Sequence, residues 1–425
     1  MSDLFSNVYP TSSQEHFLKA ALFQDQEKVE EHLRLWRSQV KPNAVDCATG
    51  GLFPLLYLNL MRLGIDHHKL EEFKNAYKSA WFRNEMMLNG LGPLIDAFNR
   101  NGIATLLLKG IPLTLLVYHD VGARLMSDID LLVPYRNARG AIDLLIKLGW
   151  FPKFDRLRRS NSRWTSGYLR YRNSVSFFKD QGPEIDLHWH AFPENFLDSV
   201  SKYLWENAIP LEISGAKTLA LCPEDQLLHV LIHGSRRDVC PTIRWISDSV
   251  HLIRKNPSLS WELLYEHCQM LSKGLTVSLA LRYLRSEFEI EVPEAFLART
   301  EARDFSWHET REIVINSKKT NLVNEVLFYL YRFQRLRRAS SERISWLGIF
   351  RYLYYLSGVT NPLQLVPLVF GKVFRFLTTS GANPKKKHWS LFSDNSNIAS
   401  KNTAGTKRAV GHEAIQANHV DALQL

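Results

Sequence analysis

The stretch Arg124-Leu-Met-Ser-Asp-Ile-Asp-Leu-Leu-Val133 carries two aspartates separated by one apolar residue. Side chains alternate between the two faces of a β-strand, so Asp128 and Asp130 share one face while Ile129 and Leu131 share the other. Two like charges on an otherwise apolar strand repel, and they are costly unless a cation neutralises them. Mg²⁺ bound by carboxylates and substrate phosphates is the usual solution. The stretch therefore predicts a strand with a cation site on one face, although two acids can also mark a solvated turn.

Upstream, an apolar run ends at a glycine turn. The run from Ile103 to Leu108 is followed by Lys109-Gly110, and then by apolar residues at helical spacing, which predicts a strand, a turn and a helix. A glycine at such a turn lets backbone N–H groups approach a phosphate, and the helix N-terminus favours the anion. Two roles stay open for Lys109: a contact with a phosphate, or a cap on the strand end.

Downstream, Glu184-Ile-Asp-Leu-His-Trp-His190 has the alternation of another strand. Asp186, His188 and His190 share one of its faces. We therefore expect the carboxylate of Asp186 to meet the earlier aspartate pair, on adjacent strands of one mixed sheet. Either histidine suits a hydrogen bond to a phosphate or a proton transfer near neutral pH, because imidazole titrates there. Structural support of Asp186 is the alternative.

At these residues the chain resembles the nucleotidyltransferase superfamily with the polymerase-β-like core, in particular its bacterial group of uncharacterised nucleotidyltransferases. The resemblance covers residues 70 to 255 well and the rest loosely. It departs from the superfamily pattern at the turn, where Gly-Ser or Gly-Gly is usual but Lys109-Gly110-Ile111 stands here, and in the longer spacing from Gly110 to Asp128. The matching residues are Leu108, Lys109, Gly110, Arg124, Asp128 to Val133, Asp186 to Trp189, His233, Gly234, Arg244, Trp245 and Asp248.

The resemblance implies an α+β fold. A polymerase-β-like core, which is a mixed sheet with flanking helices, would lie between an N-terminal helical region and a C-terminal helical domain. Helical spacing before and after the strand-rich part agrees with this division. We place the N-terminal helical region at residues 1–102, the core at 103–214, the C-terminal helical domain at 215–380 and a disordered basic tail at 381–425.

The resemblance also implies a chemistry. In the superfamily the two paired acids bind both metal ions and the third acid binds the catalytic one, so Asp128, Asp130 and Asp186 are the expected catalytic residues and metal ligands. The ions would be Mg²⁺ or Mn²⁺. The function implied is the transfer of a nucleoside monophosphate from a nucleoside triphosphate, such as ATP, to an unidentified acceptor, with release of pyrophosphate. The expected nucleotide-binding residues are Lys109, Gly110, Arg124 and His188.

Two other functions stay open. An RNA-directed or toxin-like transferase would keep the same site and use the basic segment from Lys153 to Arg172, in which Trp164, Tyr168 and Tyr171 are interleaved. This segment lies between the two aspartate-bearing strands, so we expect it to border the active site, where arginines suit phosphate groups. The acceptor would be a small molecule, a protein or RNA. A non-catalytic nucleotide-binding scaffold is the other alternative, and three converging acids argue against it.

Composition excludes several classes of protein. The 425 residues are 45% hydrophobic and 23% charged, as in a soluble globular protein of two or three domains. The N-terminus lacks the basic start and apolar run of a secretory signal, and the four cysteines form no Cys-x-x-Cys, so we expect a cytoplasmic protein with reduced thiols. The sequence has no Walker-type loop, dinucleotide-binding fingerprint or His-Glu-x-x-His. The net charge of +10 agrees with an anionic partner, and equally with an excess of lysine and arginine that serves solubility.

One stretch near the C-terminal end is long and uncharged. Tyr352 to Gly371 has no charged residue, but Pro362 and Pro367 interrupt it, so we expect two buried or interfacial segments. Flanking arginines and Trp346 leave open a peripheral contact with an anionic membrane surface.

Two pairs of residues at i and i+4 have structural interpretations. His229 and His233 are expected to form a packed helix face in preference to a metal site. Arg244 and Asp248 are expected to stabilise their own helix as an ion pair.

Overall fold

The computed structural model describes residues 8–40, 45–158, 163–180, 182–193, 195–235, 243–302, 307–317, 322–357 and 363. The expected basic tail at 381–425 and most of the uncharged stretch from 352 to 371 lie outside these residues.

A seven-stranded mixed sheet forms the centre of the molecule. Its strand order is β3-β4-β5-β2-β1-β7-β6. The pairs β2–β5 and β1–β7 are parallel, and the other neighbouring strands are antiparallel. The mixed sheet with flanking helices that the sequence predicts is therefore confirmed. The strands are β1 (Leu106–Leu108), β2 (Asp128–Leu132), β3 (Phe151–Pro152), β4 (Ser174–Phe178), β5 (Glu184–His188), β6 (Ile209–Ile213) and β7 (Ala216–Ala220).

Helices precede, interrupt and follow the strands. The N-terminal helices are α1 (Ser12–Leu22), α2 (Gln26–Gln39), α3 (Cys47–Gly50), α4 (Phe53–Leu63) and α5 (Leu70–Arg100). Those between strands are α6 (Gly110–Leu113), continued by a π-helical turn (Thr114–Tyr118), then α7 (Ala138–Lys147), α8 (Arg163–Tyr171) and α9 (Asp198–Glu206). The C-terminal helices are α10 (Pro223–Gly234), α11 (Arg244–Lys255), α12 (Trp261–Met270), α13 (Gly274–Phe288), α14 (Glu294–Ala302), α15 (Trp307–Ser317), α16 (Leu322–Arg338) and α17 (Gly348–Ser357).

Local sequence accounts for several helix ends. Thr11 and Gln14 form a reciprocal capping box at the start of α1, and the side chain of Asp25 accepts a hydrogen bond from the first turn of α2. Helix α10 begins at Pro223, whose missing N–H costs nothing in the first turn. Helix α5 ends before Asn101 and a glycine, as its sequence predicts.

The sheet separates two hydrophobic cores. Leu107, Ile129 and Leu131 face a core formed with α5, α7, α8 and α17. Leu106 and Leu132, which have the opposite parity, face a core formed with α1, α2, α4 and the helices from α10 to α14. Asp130 has the same parity as Leu132, so its carboxylate lies on the side of the sheet covered by the N- and C-terminal helices.

Those N- and C-terminal helices form one layer. Lys19 on α1 lies 2.7 Å from Glu287 on α13, and Arg254 on α11 donates a hydrogen bond to the carbonyl of Leu22. Their apolar side chains belong to the same core. Helices α1, α2 and α4 and the helices from α10 to α14 therefore jointly cover the face of the sheet that carries the aspartates. None of the helices in the described part of the chain combines the length and apolarity needed to cross a membrane.

Candidate functional site

The pairing of β2 with β5 brings the aspartates of the two strands together. The strands are parallel, with Asp128 opposite Glu184 and Asp130 opposite Asp186. Residues opposite each other on neighbouring strands project from the same face of the sheet. The register therefore places the Asp130 and Asp186 side chains side by side.

Asp130, Asp186 and His188 form a group that can hold a metal ion. Each offers one ligand atom, and the three atoms lie within 4.8 Å of one another. His188 Nε2 is 3.0 Å from Oδ1 of Asp130, and Ser176 on β4 donates a hydrogen bond of 2.5 Å to Oδ1 of Asp186. The two carboxylates are ligands of the kind that Mg²⁺ and Mn²⁺ prefer, and the imidazole offers a nitrogen ligand of the kind that softer divalent cations use. The residues present thus fit a divalent cation.

Asp128 stands beside this group and is not part of it. It begins β2 and accepts a hydrogen bond of 2.8 Å from the hydroxyl of Ser127. Burial raises the pKa of Asp128, and the negative charge of Asp130 raises it further, against the opposing effect of Lys109. Desolvation and the neighbouring carboxylate thus outweigh the attraction of Lys109, so the ionised form of Asp128 is disfavoured in the folded protein.

Asp130, in contrast, is buried and well neutralised. Lys109 Nζ lies 2.6 Å from its Oδ1. Burial alone would raise the pKa of Asp130, but the Lys109 ammonium and the hydrogen bond from His188 outweigh that effect and hold the pKa well below its usual range. Asp130 is therefore a carboxylate throughout the pH range in which the protein would work.

The backbone at Lys109 is strained. Its φ of 54° and ψ of −113° lie in a region that glycine adopts readily and other residues avoid. Holding a side chain there costs about 1–3 kcal/mol. This conformation ends β1 and lets the ammonium reach Asp130. Lysine thus occupies a position at which glycine would be free of strain, and the ion pair offsets that cost.

Gly110 packs closely against the side chains of Arg124 and Met126. A Cβ atom added at this position would lie 3.1 Å from Nη1 of Arg124 and 3.3 Å from the side chain of Met126. These distances are shorter than ordinary van der Waals contacts. The structure thus gives a reason for glycine beyond the approach of a phosphate: the guanidinium of Arg124 lies directly against the turn.

Arg124 is bound to a carboxylate on a distant helix. Its Nε and Nη2 atoms lie 2.8 and 2.9 Å from the two oxygens of Asp248 on α11, and Tyr118 donates a third hydrogen bond of 2.8 Å to the same carboxylate. Arg244 donates instead to the carbonyl of Leu125. The expectation of an Arg244–Asp248 pair within the helix is therefore wrong, because both oxygens of Asp248 already bind Arg124.

The contact between α10 and α11 positions Asp248. A Cβ atom at Gly234 would overlap the side chain of Trp245, so only glycine allows the two helices to lie this close. Gly234 thus leaves room for the side chain of Trp245, and the close contact between the two helices places Asp248 where it binds Arg124.

A family model described as an uncharacterised nucleotidyltransferase matches residues 47–289, which include the whole sheet, the Lys109-Gly110 turn and Asp248. The chain belongs to this nucleotidyltransferase family. It matches no curated protein. The resemblance that the sequence motifs indicate is thus confirmed.

Within this nucleotidyltransferase, His190 does not serve as a proton carrier near neutral pH, which corrects one of the roles expected for it. Its ring stacks on that of Phe196, with 4.1 Å between the centroids, and also lies against Tyr135. Burial lowers the pKa of His190 to about 3. His188, on the other hand, remains in the site: its Nδ1 is buried and has no hydrogen-bond partner within the described ranges.

The basic segment from Lys153 to Arg172 lies mainly on the other side of the sheet. Its residues Tyr168 and Tyr171 belong to the core on the face opposite the aspartates, and Trp164 packs against that core. Arg156 donates a hydrogen bond of 2.6 Å to Tyr354 on α17. The described aromatic residues of this segment thus fill the opposite core. Lys153, at the start of the segment, donates its backbone N–H to Ser176, the residue that binds Asp186, so the expectation that the segment borders the active site stays a prediction.

Proposed function

We propose that this protein is a metal-dependent nucleotidyltransferase that transfers a nucleoside monophosphate from a nucleoside triphosphate, such as ATP, to an acceptor and releases pyrophosphate. The observation that carries the proposal is the register of β2 and β5, which sets Asp130 beside Asp186 and leaves ligand atoms of both residues and of His188 within 4.8 Å. Membership of the family supports the transfer of nucleotidyl groups.

Asp130 and Asp186 would hold Mg²⁺ or Mn²⁺, Asp128 would contribute from the edge of the strand, and His188 would contact the nucleotide beside them. A divalent cation there would supply positive charge to the phosphate oxygens and to the departing pyrophosphate. The protein itself contributes fixed positions. Ser176 holds the Asp186 carboxylate, and the sheet hydrogen bonds hold the two acidic strands in register. Catalysis of this kind depends on positioning and charge stabilisation and needs no covalent nucleophile.

The Lys109-Gly110 turn would bind the triphosphate. The Lys109 ammonium lies at Asp130, and its side chain is still partly exposed, so it can contact a phosphate from the same position. Arg124 would act at the same place: its guanidinium lies against Gly110 while Asp248 holds it. We therefore assign Lys109 a direct contact with phosphate, and we assign Arg124 a nucleotide-binding role exerted through the turn.

The acceptor of the nucleotidyl group would be a small molecule, a protein or RNA. We place the reaction in the cytoplasm, since the described cysteines Cys47, Cys222 and Cys268 are all free thiols, which suits a reducing compartment.

The proposal is tested by incubating the purified protein with each labelled nucleoside triphosphate and Mg²⁺ or Mn²⁺, and measuring both pyrophosphate release and labelling of the protein itself. Asp130→Asn serves as the inactive control. Pyrophosphate release that requires the metal ion and Asp130 supports the assignment. Nucleotide binding without turnover, under every acceptor condition including added tRNA, would favour the scaffold alternative.

A further inference from the structure

Three large apolar side chains are exposed where α17 begins. Trp346, Leu347 and Phe350 are 56%, 77% and 66% exposed, and we refer to them as the apolar tip. Single exposed apolar residues are ordinary, but a cluster of large ones is a sign of a contact surface.

The apolar tip is held firmly by the residues around it. Arg337 donates a hydrogen bond of 2.8 Å to the carbonyl of Ile344, and its guanidinium lies 4.0 Å from the centre of a Trp346 ring. A Cβ atom at Gly348 would lie 2.8 Å from the buried side chain of Ile344, so the first residue of α17 packs closely against the turn that precedes it. The exposed residues are thus presented by an ordered turn, and little conformational entropy remains to be lost on binding.

Positive charge surrounds the apolar tip. Arg338, Arg343 and Arg351 are exposed, and the nearby acid Glu342 lies 2.7 Å from Arg170, which neutralises it. The imbalance continues along the sequence: from Arg343 to Ser393 there is no aspartate or glutamate. The same stretch contains the basic residues Arg343, Arg351, Lys372, Arg375, Lys385, Lys386 and Lys387.

We propose that the apolar tip and its flanking arginines bind the protein to an anionic lipid surface. Tryptophan, leucine and phenylalanine insert at the boundary between headgroups and acyl chains, while arginine binds lipid phosphates and is attracted to the negative surface. The excess of positive charge selects this partner, because it is complementary to anionic lipid. The interaction is peripheral, and it does not depend on the chemistry at Asp130 and Asp186, which lie on the opposite face of the sheet from α17.

Co-sedimentation of the full-length protein with vesicles tests this proposal without any nucleotide. We expect binding to vesicles of equal parts phosphatidylcholine and phosphatidylglycerol, weak binding to phosphatidylcholine alone, and a loss of binding as salt is raised. Leu347→Glu combined with Phe350→Glu should weaken binding at least about tenfold, since it removes two inserting side chains and adds two negative charges. Arg343→Gln combined with Arg351→Gln should weaken binding to the anionic vesicles alone.

A matched control is available on α5. Phe82 and Met86 are 62% and 57% exposed and lie beside both Arg83 and Glu85, so they offer apolar exposure without a charge excess. Phe82→Glu combined with Met86→Glu should leave vesicle binding unchanged. The proposal would be overturned if the Phe82/Met86 variant lost as much vesicle binding as the Leu347/Phe350 variant. It would also be overturned if the wild-type protein did not bind anionic vesicles. A wild-type dimer in light scattering that Leu347→Glu with Phe350→Glu dissociates, without vesicle binding, would assign the surface to a second copy instead. If circular dichroism shows that the Leu347/Phe350 variant does not fold, vesicle binding by the Arg343/Arg351 variant decides the question.

Discussion

Lys109 Nζ and His188 Nε2 lie 2.6 and 3.0 Å from the same oxygen, Oδ1 of Asp130. A single buried carboxylate oxygen thus binds both an ammonium and an imidazole, whereas the neighbouring Asp128 accepts a hydrogen bond from the neutral hydroxyl of Ser127. The two aspartates of one motif therefore differ in charge environment. We therefore expect the removal of Asp128 and the removal of Asp130 to change the stability of the protein in opposite directions.

We expect Asp130→Asn to lower the stability of the metal-free protein and Asp128→Asn to raise it. Asp130 has a depressed pKa in the folded state, so its ionised form is stabilised by folding, and its loss leaves Lys109 without a partner at a cost of about 1–3 kcal/mol. Asp128 has a raised pKa, so its charge opposes folding above the unfolded-state pKa, and removing it should raise the free energy of unfolding.

Chemical denaturation of the two variants in the presence of a chelator measures these differences. Both variants should lose turnover under the proposed function. Equal changes in the free energy of unfolding, in either direction, would show that the two aspartates do not differ in this way.

The strain at Lys109 predicts an unusual order of stability between two variants. In most positions alanine is more stable than glycine because it reduces the freedom of the unfolded chain. At φ 54° the order should reverse, and Lys109→Gly should be more stable than Lys109→Ala by about 1 kcal/mol or more. Both variants lack the ammonium, so both should bind nucleotide more weakly and to a similar extent. Thermal unfolding and nucleotide titration at fixed Mg²⁺ measure the two effects, and unchanged nucleotide affinity would remove Lys109 from the site.

Burial of His190 predicts a loss of stability in mild acid. Its pKa is about 3 in the folded state, against about 6.5 in the unfolded chain, so the unfolded state binds more protons between these values and stability rises with pH across this window. Lowering the pH from 7 to 5 should therefore cost about 2 kcal/mol from this residue alone. His190→Phe, which retains the stacking on Phe196, should show a shallower dependence. Denaturant titrations at both pH values compare the two proteins, and parallel curves would contradict the assignment.

Local patterns predicted the elements of the site more successfully than its contacts. Alternation identified the strands that contain Asp130 and Asp186, because side-chain parity is a local property. Parity does not determine register, so the direct pairing of these two residues, and the inclusion of His188 in place of Asp128, came from long-range strand pairing. Pro223 and Gly234, the first and last residues of α10, are likewise local signals of a helix start and a helix end.

Contacts that depend on backbone conformation or on distant helices were not predictable in this way. The reach of Lys109 to Asp130 requires a positive φ, which a lysine gives no reason to expect. For Asp248 the spacing favours the arginine at i−4, whereas the structure pairs it with Arg124, which lies 124 residues earlier in the chain. Spacing favours local partners, and only the packed fold shows which partner is used.

The Arg124–Asp248 pair predicts how the Lys109-Gly110 turn is supported. Breaking a buried ion pair by removing one member costs about 3–5 kcal/mol, because the other charge is left unpaired, so Arg124→Gln and Asp248→Asn should each destabilise the protein. The double variant should cost less than the sum of the two. If Arg124 acts by positioning the turn, both single variants should raise the KM for nucleotide by a similar factor, since each releases the guanidinium from Gly110.

A direct contact between Arg124 and the nucleotide would give a different result. Asp248→Asn would then leave KM almost unchanged, because the guanidinium would remain available, and Arg124→Gln alone would raise it. Arg139→Gln, which removes a partly exposed arginine paired with Asp143 on α7, is the control for loss of positive charge. It should leave both KM and stability nearly unaltered, because exposed ion pairs within a helix contribute about 0.3–0.5 kcal/mol. Steady-state kinetics of the four variants, together with their denaturant midpoints, decide between positioning and direct contact.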